Sequence, residues 1–357
     1  MKERKVLNLA SPILRTWSSE SHLMSMILQQ ENAKEWIFNN YINLRGKSYM
    51  QGRKKSLAFF PGHDPTWKES PLNAWTGCPF LEVHYVSHNF VKNNYADILE
   101  YALHALEDGF YLYLSLKQEK LKTRMHATVH KTFIYGFDRR VQKLYVADHY
   151  DNAKYALAEM GFDDFLESYQ ATYWDEDDNY NLFQTDKDSL FEEQAIIIAK
   201  PKAFHYEFNI EWFRMQLKDY LEATYRSNCV VPLSMEGDGV RYFGIRCYDL
   251  LVDYVDALVE REELVNKDWR VFTLLCDHKT ILKMRTDFFL EKGICEFENA
   301  EIEKYDMLEQ SSRAALNLFL KYKLTGEKKC LKSIKDILVN MKCTETDLLQ
   351  LLLNKLS

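Results

Sequence analysis

A histidine begins the first strand of one predicted β-hairpin, and an aspartate ends the second strand. The segment His130–Asp138 reads HKTFIYGFD, Leu144–Asp148 reads LYVAD, and the polar residues around position 140 predict the turn between two strands. The hairpin can bring His130 beside Asp148, so that the carboxylate accepts an imidazole N–H and fixes the tautomer. We therefore expect His130 to act as general base and acid, with Asp148 as its orienting group.

The same hairpin resembles the His and Asp motifs of papain-like cysteine enzymes of the bacteriocin-processing peptidase type. In those enzymes the His is followed by a few apolar residues, a Gly-Tyr-Asp turn, and a strand that closes in Asp-Pro. Here Gly136–Asp138 and Val146–Asp148 stand in those places, and His149 replaces the usual Pro. The resemblance implies a papain-like fold for the first domain.

A closer resemblance is to the N-terminal domain of the butirosin-biosynthesis acyltransferase family. That family carries its nucleophile in a His-Cys-Glu-Thr type segment that opens an apolar helix, and Ser18–Leu28 resembles this segment. Glu20 and the apolar run from Leu23 fit the pattern, but Ser19 stands where the family has its cysteine. The family also continues into a helical C-terminal half, and Tyr242–Leu251 has that character.

Three interpretations of Ser19 stay open at this point. It is a working serine nucleophile activated by His130, an engineered replacement of cysteine, or the mark of an inactive site. A hydroxyl is much less acidic than a thiol, so a serine depends more heavily on its base and on the oxyanion hole. At the start of a helix, Ser19 would have a backbone N–H and the helix dipole available for an oxyanion.

Two further histidines are candidates for substrate contact. His22 lies one helical turn from Ser19 and could line the same pocket. His126 precedes His130 by four residues, so on a strand both would share one face, with His126 at the pocket edge. No third ligand with metal-site spacing accompanies them, and no glycine-rich phosphate loop occurs, so we expect neither a metal nor another cofactor. Cys78 precedes a predicted strand, which favours a buried thiol over a nucleophile.

The composition excludes several functional classes. The chain of 357 residues has a net charge of −7, and its longest basic run is Arg53–Lys55, so nucleic-acid binding is not expected. The seven cysteines are odd in number and lack CxxC spacing, which indicates reduced thiols and a cytoplasmic protein. No apolar stretch predicts a signal peptide or a membrane span.

The secondary-structure pattern predicts an α+β protein with two domains. Helix-like and strand-like segments alternate over residues 1–200, the expected papain-like catalytic domain. Residues 201–357 are expected to form an all-helical domain, because helix-period segments follow one another and strand patterns almost vanish. The long helices between Asp268 and Tyr322 could support a homodimer.

The resemblance implies an acyltransferase of antibiotic or nonribosomal-type specialised metabolism. The acyl group would come from a phosphopantetheine thioester on an acyl or peptidyl carrier protein, pass through Ser19, and reach a small-molecule amine. Two alternatives remain. One is a papain-like peptidase or amidase with the same triad. The other is a non-catalytic binding or scaffold protein, for which we expect Ser19 not to be hydrogen-bonded to His130.

Overall fold

The chain forms two compact units in a computed structural model that describes residues 2–61, 73–117, 129–150, 154–173, 195–224 and 241–356. The first unit comprises Met1–Glu31 and Glu69–His205, and the second comprises Asn32–Lys68 and Tyr206–Ser357. The predicted domain boundary near residue 200 lies close to the boundary after His205. The segment Asn32–Lys68, however, clusters with the second unit although it lies within the first predicted domain.

The regular elements are numbered in chain order. The strands are β1 (Arg4–Val6), β2 (Leu44–Gln51), β3 (Lys54–Pro61), β4 (Leu81–Val86), β5 (Tyr111–Lys117), β6 (Val129–Asp138), β7 (Lys143–Tyr150), β8 (Lys154–Gly161), β9 (Ile196–Pro201) and β10 (Arg241–Phe243). The α-helices are α1 (Ser18–Ile27), α2 (Ala33–Asn40), α3 (Asn73–Thr76), α4 (His88–Asn94), α5 (Ile98–Glu107), α6 (Phe162–Tyr173), α7 (Ile210–Glu222), α8 (Cys247–Glu260), α9 (Arg270–Glu291), α10 (Asn299–Thr325) and α11 (Lys329–Lys355).

The first unit is built on an antiparallel sheet in which β4, β9, β5, β6, β7 and β8 lie side by side, and β1 also pairs with β6. The predicted hairpin is confirmed: β6 ends at Asp138 and β7 begins at Lys143. Its turn is closed locally, because Asp138 accepts hydrogen bonds from the backbone N–H of Arg140 at 3.0 Å and from the Arg140 guanidinium.

The two faces of this sheet carry different helices. One face packs with α5 and α6 in an apolar cluster that includes Leu116, Ile134 and Val146. The other face carries aromatic side chains of alternate strand positions, and His22 of α1 stacks on Phe133 there with ring centroids 4.4 Å apart. Because successive strand residues point to opposite faces, each strand supplies both layers.

The second unit combines a small sheet with helices. Its antiparallel sheet has the order β10-β2-β3, and α2 and α7–α11 belong to the same unit. This corrects the prediction of an all-helical second domain. The physical reason is long-range pairing, since Arg241–Phe243 forms a ladder with Arg45–Lys47. A three-residue strand with a distant partner has no helix-like or strand-like period of its own.

The mixed α+β class and the helical C-terminal region are confirmed. The papain-like identity of the first unit stays an expectation. None of the helices in the described ranges combines the length and the apolar character that crossing a membrane would need.

Candidate active site

The hairpin brings His130 and Asp148 together. The pairs Phe133↔Ala147 and Ile134↔Val146 set the register between β6 and β7. Continued by two residues, this register makes His130 and Asp148 diagonal neighbours on one face, within reach of a long side chain. His130 Nδ1 lies 3.2 Å from Asp148 Oδ2, as the sequence predicted.

The surroundings of the His130 ring assign its proton. Besides the Asp148 carboxylate, Nδ1 lies 2.8 Å from the backbone carbonyl oxygen of Lys131. Both neighbours accept hydrogen bonds, so in the neutral imidazole Nδ1 carries the hydrogen and Nε2 keeps its lone pair. The His130 side chain is 35% exposed whereas Asp148 is 1% exposed. The pair therefore has the arrangement of a general base held by a buried carboxylate.

Asp148 is also held from its own strand. Its Oδ1 accepts a hydrogen bond from the backbone N–H of His149 at 2.7 Å. The second carboxylate oxygen is thus the one that faces His130. A carboxylate fixed by a backbone donor offers a constant orientation to the imidazole, which is what a positioning group requires.

Ser19 takes part in a different interaction. Its Oγ donates a hydrogen bond to the Glu20 carboxylate, and its carbonyl accepts the Trp75 indole N–H at 2.8 Å. The side chain is 1% exposed. Within the described part of the chain, Ser19 Oγ makes no hydrogen bond to His130. The structure therefore brings together two members of the predicted triad, and it holds the third elsewhere in the first unit.

Strand register gives the physical reason. His130 pairs with Leu116 and Asp148 pairs with Ala156, and both apolar partners belong to the face covered by α5 and α6. The helix that carries Ser19 packs on the opposite face, where His22 stacks on Phe133. Alternation along β6 thus points the His130 side chain away from the face that α1 covers.

His22 is part of the packing of the α1 face. It is fully buried, its Nδ1 lies 3.2 Å from the Tyr155 hydroxyl, and its ring also approaches Tyr113 edge-on at 5.3 Å. This burial leaves no exposed His22 surface for a substrate. His126, the other predicted substrate contact, lies outside the described residues.

Two further residues of the first unit complete the description. His149 donates from Nε2 to the Arg15 carbonyl at 2.6 Å, and its Nδ1 lies 3.9 Å from Asp148 Oδ1. The sequence analysis treated His149 only as a replacement for proline. His149 follows Asp148 on the same strand, so the two side chains point to opposite faces and no periodic pattern indicates a joint role. Cys78 is buried, and burial raises its pKa to about 12, so it stays a protonated thiol.

A second polar cluster, in the second unit, was not predicted. Lys279 Nζ lies 2.5 Å from Glu345 Oε2, and both side chains are 0% exposed. The hydroxyls of Tyr220 and Tyr248 donate to Glu345 at 2.9 and 2.6 Å. His278 Nδ1 accepts from Lys279 Nζ at 2.9 Å. We call these five residues the buried ionic cluster.

The buried ionic cluster is closed to solvent. Burial raises the pKa of both tyrosines well above its usual value, and burial lowers the pKa of His278 well below its usual value. The tyrosines are therefore neutral donors and His278 is a neutral acceptor. Its members come from α7, α8, α9 and α11, so no spacing in the sequence predicts the cluster. Such a cluster can join helices, but it offers no access to a substrate.

Among the described residues, no group of three or more His, Cys, Asp or Glu side chains is arranged to hold a metal ion. No protein-family model matches this chain, and no curated protein matches its sequence.

Proposed function

We propose that the first unit is an acyltransferase in which the His130–Asp148 pair acts as general base for the attack of an amine on a thioester. The observation that carries the proposal is the setting of His130 Nδ1 between the Asp148 carboxylate and the Lys131 carbonyl. This setting leaves Nε2 as a base on a partly exposed ring. The resemblance supplies the substrates: a carrier-protein thioester and a small-molecule amine of specialised metabolism.

In the proposed reaction the acceptor amine attacks the thioester carbonyl directly. His130 Nε2 takes a proton from the amine as the C–N bond forms, and Asp148 stabilises the resulting imidazolium. The tetrahedral intermediate then collapses, the C–S bond breaks, and the imidazolium returns the proton to the leaving thiolate. Water must be kept away from the thioester for the amide to form in preference to the acid.

Ser19 has no covalent role in this proposal. Its hydrogen bond to Glu20 and its place on the α1 face support a structural part for the hydroxyl. An acyl-enzyme route would need Ser19 within reach of His130 Nε2. Because catalytic hydrogen bonds often tighten only in the substrate complex, Ser19 would have to move toward His130 when the substrate binds. The direct route needs no such rearrangement, because the amine itself is the nucleophile.

The test is amide formation from short acyl thioesters and a panel of amines, followed by mass spectrometry. His130→Ala should lower the rate by about 10²–10⁴-fold, the usual contribution of a positioned general base. His104→Ala, at an exposed histidine of α5, is the matched control and should leave the rate unchanged. If the two variants have equal rates, His130 is not the base and the proposal fails.

Intact-protein mass spectrometry checks the route. The unsubstituted chain and Ser19→Cys should both show no acyl adduct at residue 19 while amide accumulates. An adduct at position 19 that disappears in a combined His130→Ala variant would overturn the direct route and restore the triad with a residue-19 nucleophile.

One observation favours a second candidate, a non-catalytic binding or scaffold protein. The bond from Ser19 to Glu20, with none to His130 among the described residues, is what the sequence analysis expected of a protein that lost its nucleophile. Under this candidate no thioester and amine pair gives product, and His130→Ala leaves ligand binding unchanged.

A further inference from the structure

The first unit contains an apolar cavity of about 690 Å³ beside the outer strand of its sheet. That strand is β4, which pairs with β9. The walls of the cavity come from the end of β4, from Ile198 of β9, from the first turn of α4 and from Tyr101 of α5. The volume lies within the usual range for small-molecule sites.

Strand alternation places the cavity on the face that α5 covers. His84 pairs with Ile198 across β4 and β9, and Val86 lies two residues further along the same face. Val86 and Ile198 both pack partly against the apolar cluster of α5 and α6. The chain turns into α4 directly after β4, and Ser87 caps this helix by accepting the Phe90 backbone N–H at 3.1 Å. Phe90 thereby reaches the cavity, where its side chain is 50% exposed.

The cavity offers no counter-ion to a charged ligand. Among the described lining residues, none is Asp, Glu, Lys or Arg. The two lining histidines are already engaged, since His84 Nε2 lies 2.7 Å from Glu82 Oε1 and His88 Nδ1 lies 2.6 Å from the Tyr169 hydroxyl. An ionised ligand would lose its hydration here without gaining a partner of opposite charge. The lining therefore favours an uncharged ligand.

The hydroxyl of Tyr101 supplies a donor for such a ligand. The Tyr101 side chain is 5% exposed, and burial raises its pKa above the usual value, so the hydroxyl stays protonated. The ring is held by an edge-on contact with Tyr95, with centroids 5.1 Å apart. Within the described part of the chain, the Tyr101 hydroxyl makes no hydrogen bond to a protein group. Buried tyrosine hydroxyls normally have a partner, so this donor is available to an acceptor in the cavity.

We infer that this cavity binds an uncharged aromatic small molecule, with the Tyr101 hydroxyl donating a hydrogen bond to a carbonyl oxygen of the ligand. The aromatic class follows from the wall, where the rings of Phe90 and Tyr101 suit edge-to-face or offset contact with another ring. Neither His130 nor Asp148 is among the described lining residues, so the site is separate from the proposed reaction.

The experiment is equilibrium dialysis of the full chain against three matched probes: methyl naphthyl ketone, ethylnaphthalene and naphthoate, substituted at the same ring position. The ketone is uncharged and carries the acceptor, ethylnaphthalene lacks the acceptor, and naphthoate is charged. We expect the ketone to bind at least about tenfold more tightly than naphthoate, because the carboxylate has no counter-ion in the cavity. Naphthoate binding as tight as that of the ketone would contradict an uncharged ligand.

Tyr101→Phe tests the hydrogen bond. Removing the hydroxyl should weaken ketone binding by about three- to tenfold, the usual effect of a neutral hydrogen bond, and should leave ethylnaphthalene binding unchanged. Tyr145→Phe removes a hydroxyl from the opposite face of the same sheet and serves as the matched control. Equal ketone binding by Tyr101→Phe and Tyr145→Phe would overturn the role of Tyr101.

Val86→Phe tests the location. The larger side chain fills part of the cavity and should weaken ketone binding by about tenfold or more. Val83→Phe, on the same strand but on the opposite face, is its control and should bind normally. Urea unfolding checks that both variants fold, and the Tyr101→Phe comparison decides if Val86→Phe does not. Normal ketone binding by a folded Val86→Phe, or no binding of any probe to the unsubstituted chain, would overturn the inference.

Discussion

Asp148 in the first unit and Glu345 in the second are both buried carboxylates, and the two have different partners. Asp148 is 1% exposed and faces His130, whose side chain is 35% exposed. Glu345 is 0% exposed and faces Lys279, which is also 0% exposed. Both carboxylates are buried, so burial alone does not distinguish a catalytic group from a structural one. The exposure of the partner side chain distinguishes the two.

The partner decides what the carboxylate can do. An imidazole with one edge at the surface can exchange a proton with a substrate, and Asp148 only holds it. The Lys279 ammonium, enclosed with Tyr220, Tyr248 and His278, cannot exchange a proton with a substrate. Its interactions therefore contribute to the stability of the fold. The comparison predicts that Asp148 substitutions change rates and that Glu345 substitutions change stability.

The largest expected effect is on stability, from Glu345→Gln. Removing one partner of a fully buried ion pair leaves Lys279 uncompensated, which typically costs about 3–5 kcal/mol. Urea unfolding should show this loss, and hydrogen exchange should become faster in α9 and α11. Glu303→Gln, at an exposed position of α10, is the control and should change stability by about 0.5 kcal/mol or less.

A double variant sharpens the same point. Lys279→Met with Glu345→Leu removes both charges, and replacing a buried pair by apolar side chains is often close to neutral. We expect the double variant to be more stable than Glu345→Gln, with a remaining loss from the tyrosine hydroxyls that lose their acceptor. A double variant as unstable as the single one would mean that Lys279 is not the source of the cost.

The next effect is on the rate, from Asp148→Asn. The amide keeps the size of the carboxylate but cannot stabilise an imidazolium, so amide formation should fall by about 10²-fold or more. Because the substitution is nearly isosteric, the loss should exceed any change in unfolding free energy, which a parallel urea titration measures. Asp163→Asn, at an exposed residue of α6, serves as control. If the loss of rate, expressed as a free energy, equalled the loss of unfolding free energy, the distinction between the two carboxylates would fail.

The two regions also differ in how far the sequence predicts them. The His130–Asp148 pair was predictable because both residues belong to one hairpin, whose turn is closed by the nearby Asp138 and Arg140. The position of Ser19 was not, because it depends on which face of the sheet α1 covers. That choice is made by packing between α1 and Phe133, residues far apart in the chain.

The buried ionic cluster and the β10–β2 ladder could not be predicted from the sequence for the same reason. Tyr220 and Glu345 are 125 positions apart, and no periodicity connects them. Phe243 pairs with Arg45 across a still longer separation in the chain, which draws the segment Asn32–Lys68 into the second unit. Class and most helices follow from local pattern, whereas long-range pairing decides the division into units.

A smaller effect concerns pH. Burial, together with the positive charges of Lys279 and Arg285, holds the pKa of His278 well below its usual value, while Tyr220 stacks on the ring. The unfolded chain therefore binds more protons than the folded chain below about pH 6.5, and stability is lost as the pH falls through that value. This histidine contributes a slope of about 1.4 kcal/mol per pH unit.

Urea unfolding between pH 7.5 and 5.5 measures that slope. His278→Gln should flatten it, whereas His205→Gln, at an exposed histidine of the first unit, should not. A slope that is the same in all three chains would show that the protonation of His278 is not coupled to unfolding.

The smallest expected effect comes from Ser19→Ala, and it bears directly on the comparison. The hydroxyl donates to the buried Glu20 carboxylate, so its removal should lower the unfolding free energy by about 1–2 kcal/mol. Ser21→Ala is a matched control on the same helix, since Ser21 is also buried and donates to the Leu14 carbonyl at 3.0 Å. Both variants should form amide at rates within about twofold of the unsubstituted chain, because neither hydroxyl faces His130. If Ser19→Ala abolished amide formation while Ser21→Ala did not, Ser19 would have to reach His130 during turnover. The first unit would then contain a hidden triad, and Asp148 would serve a covalent mechanism.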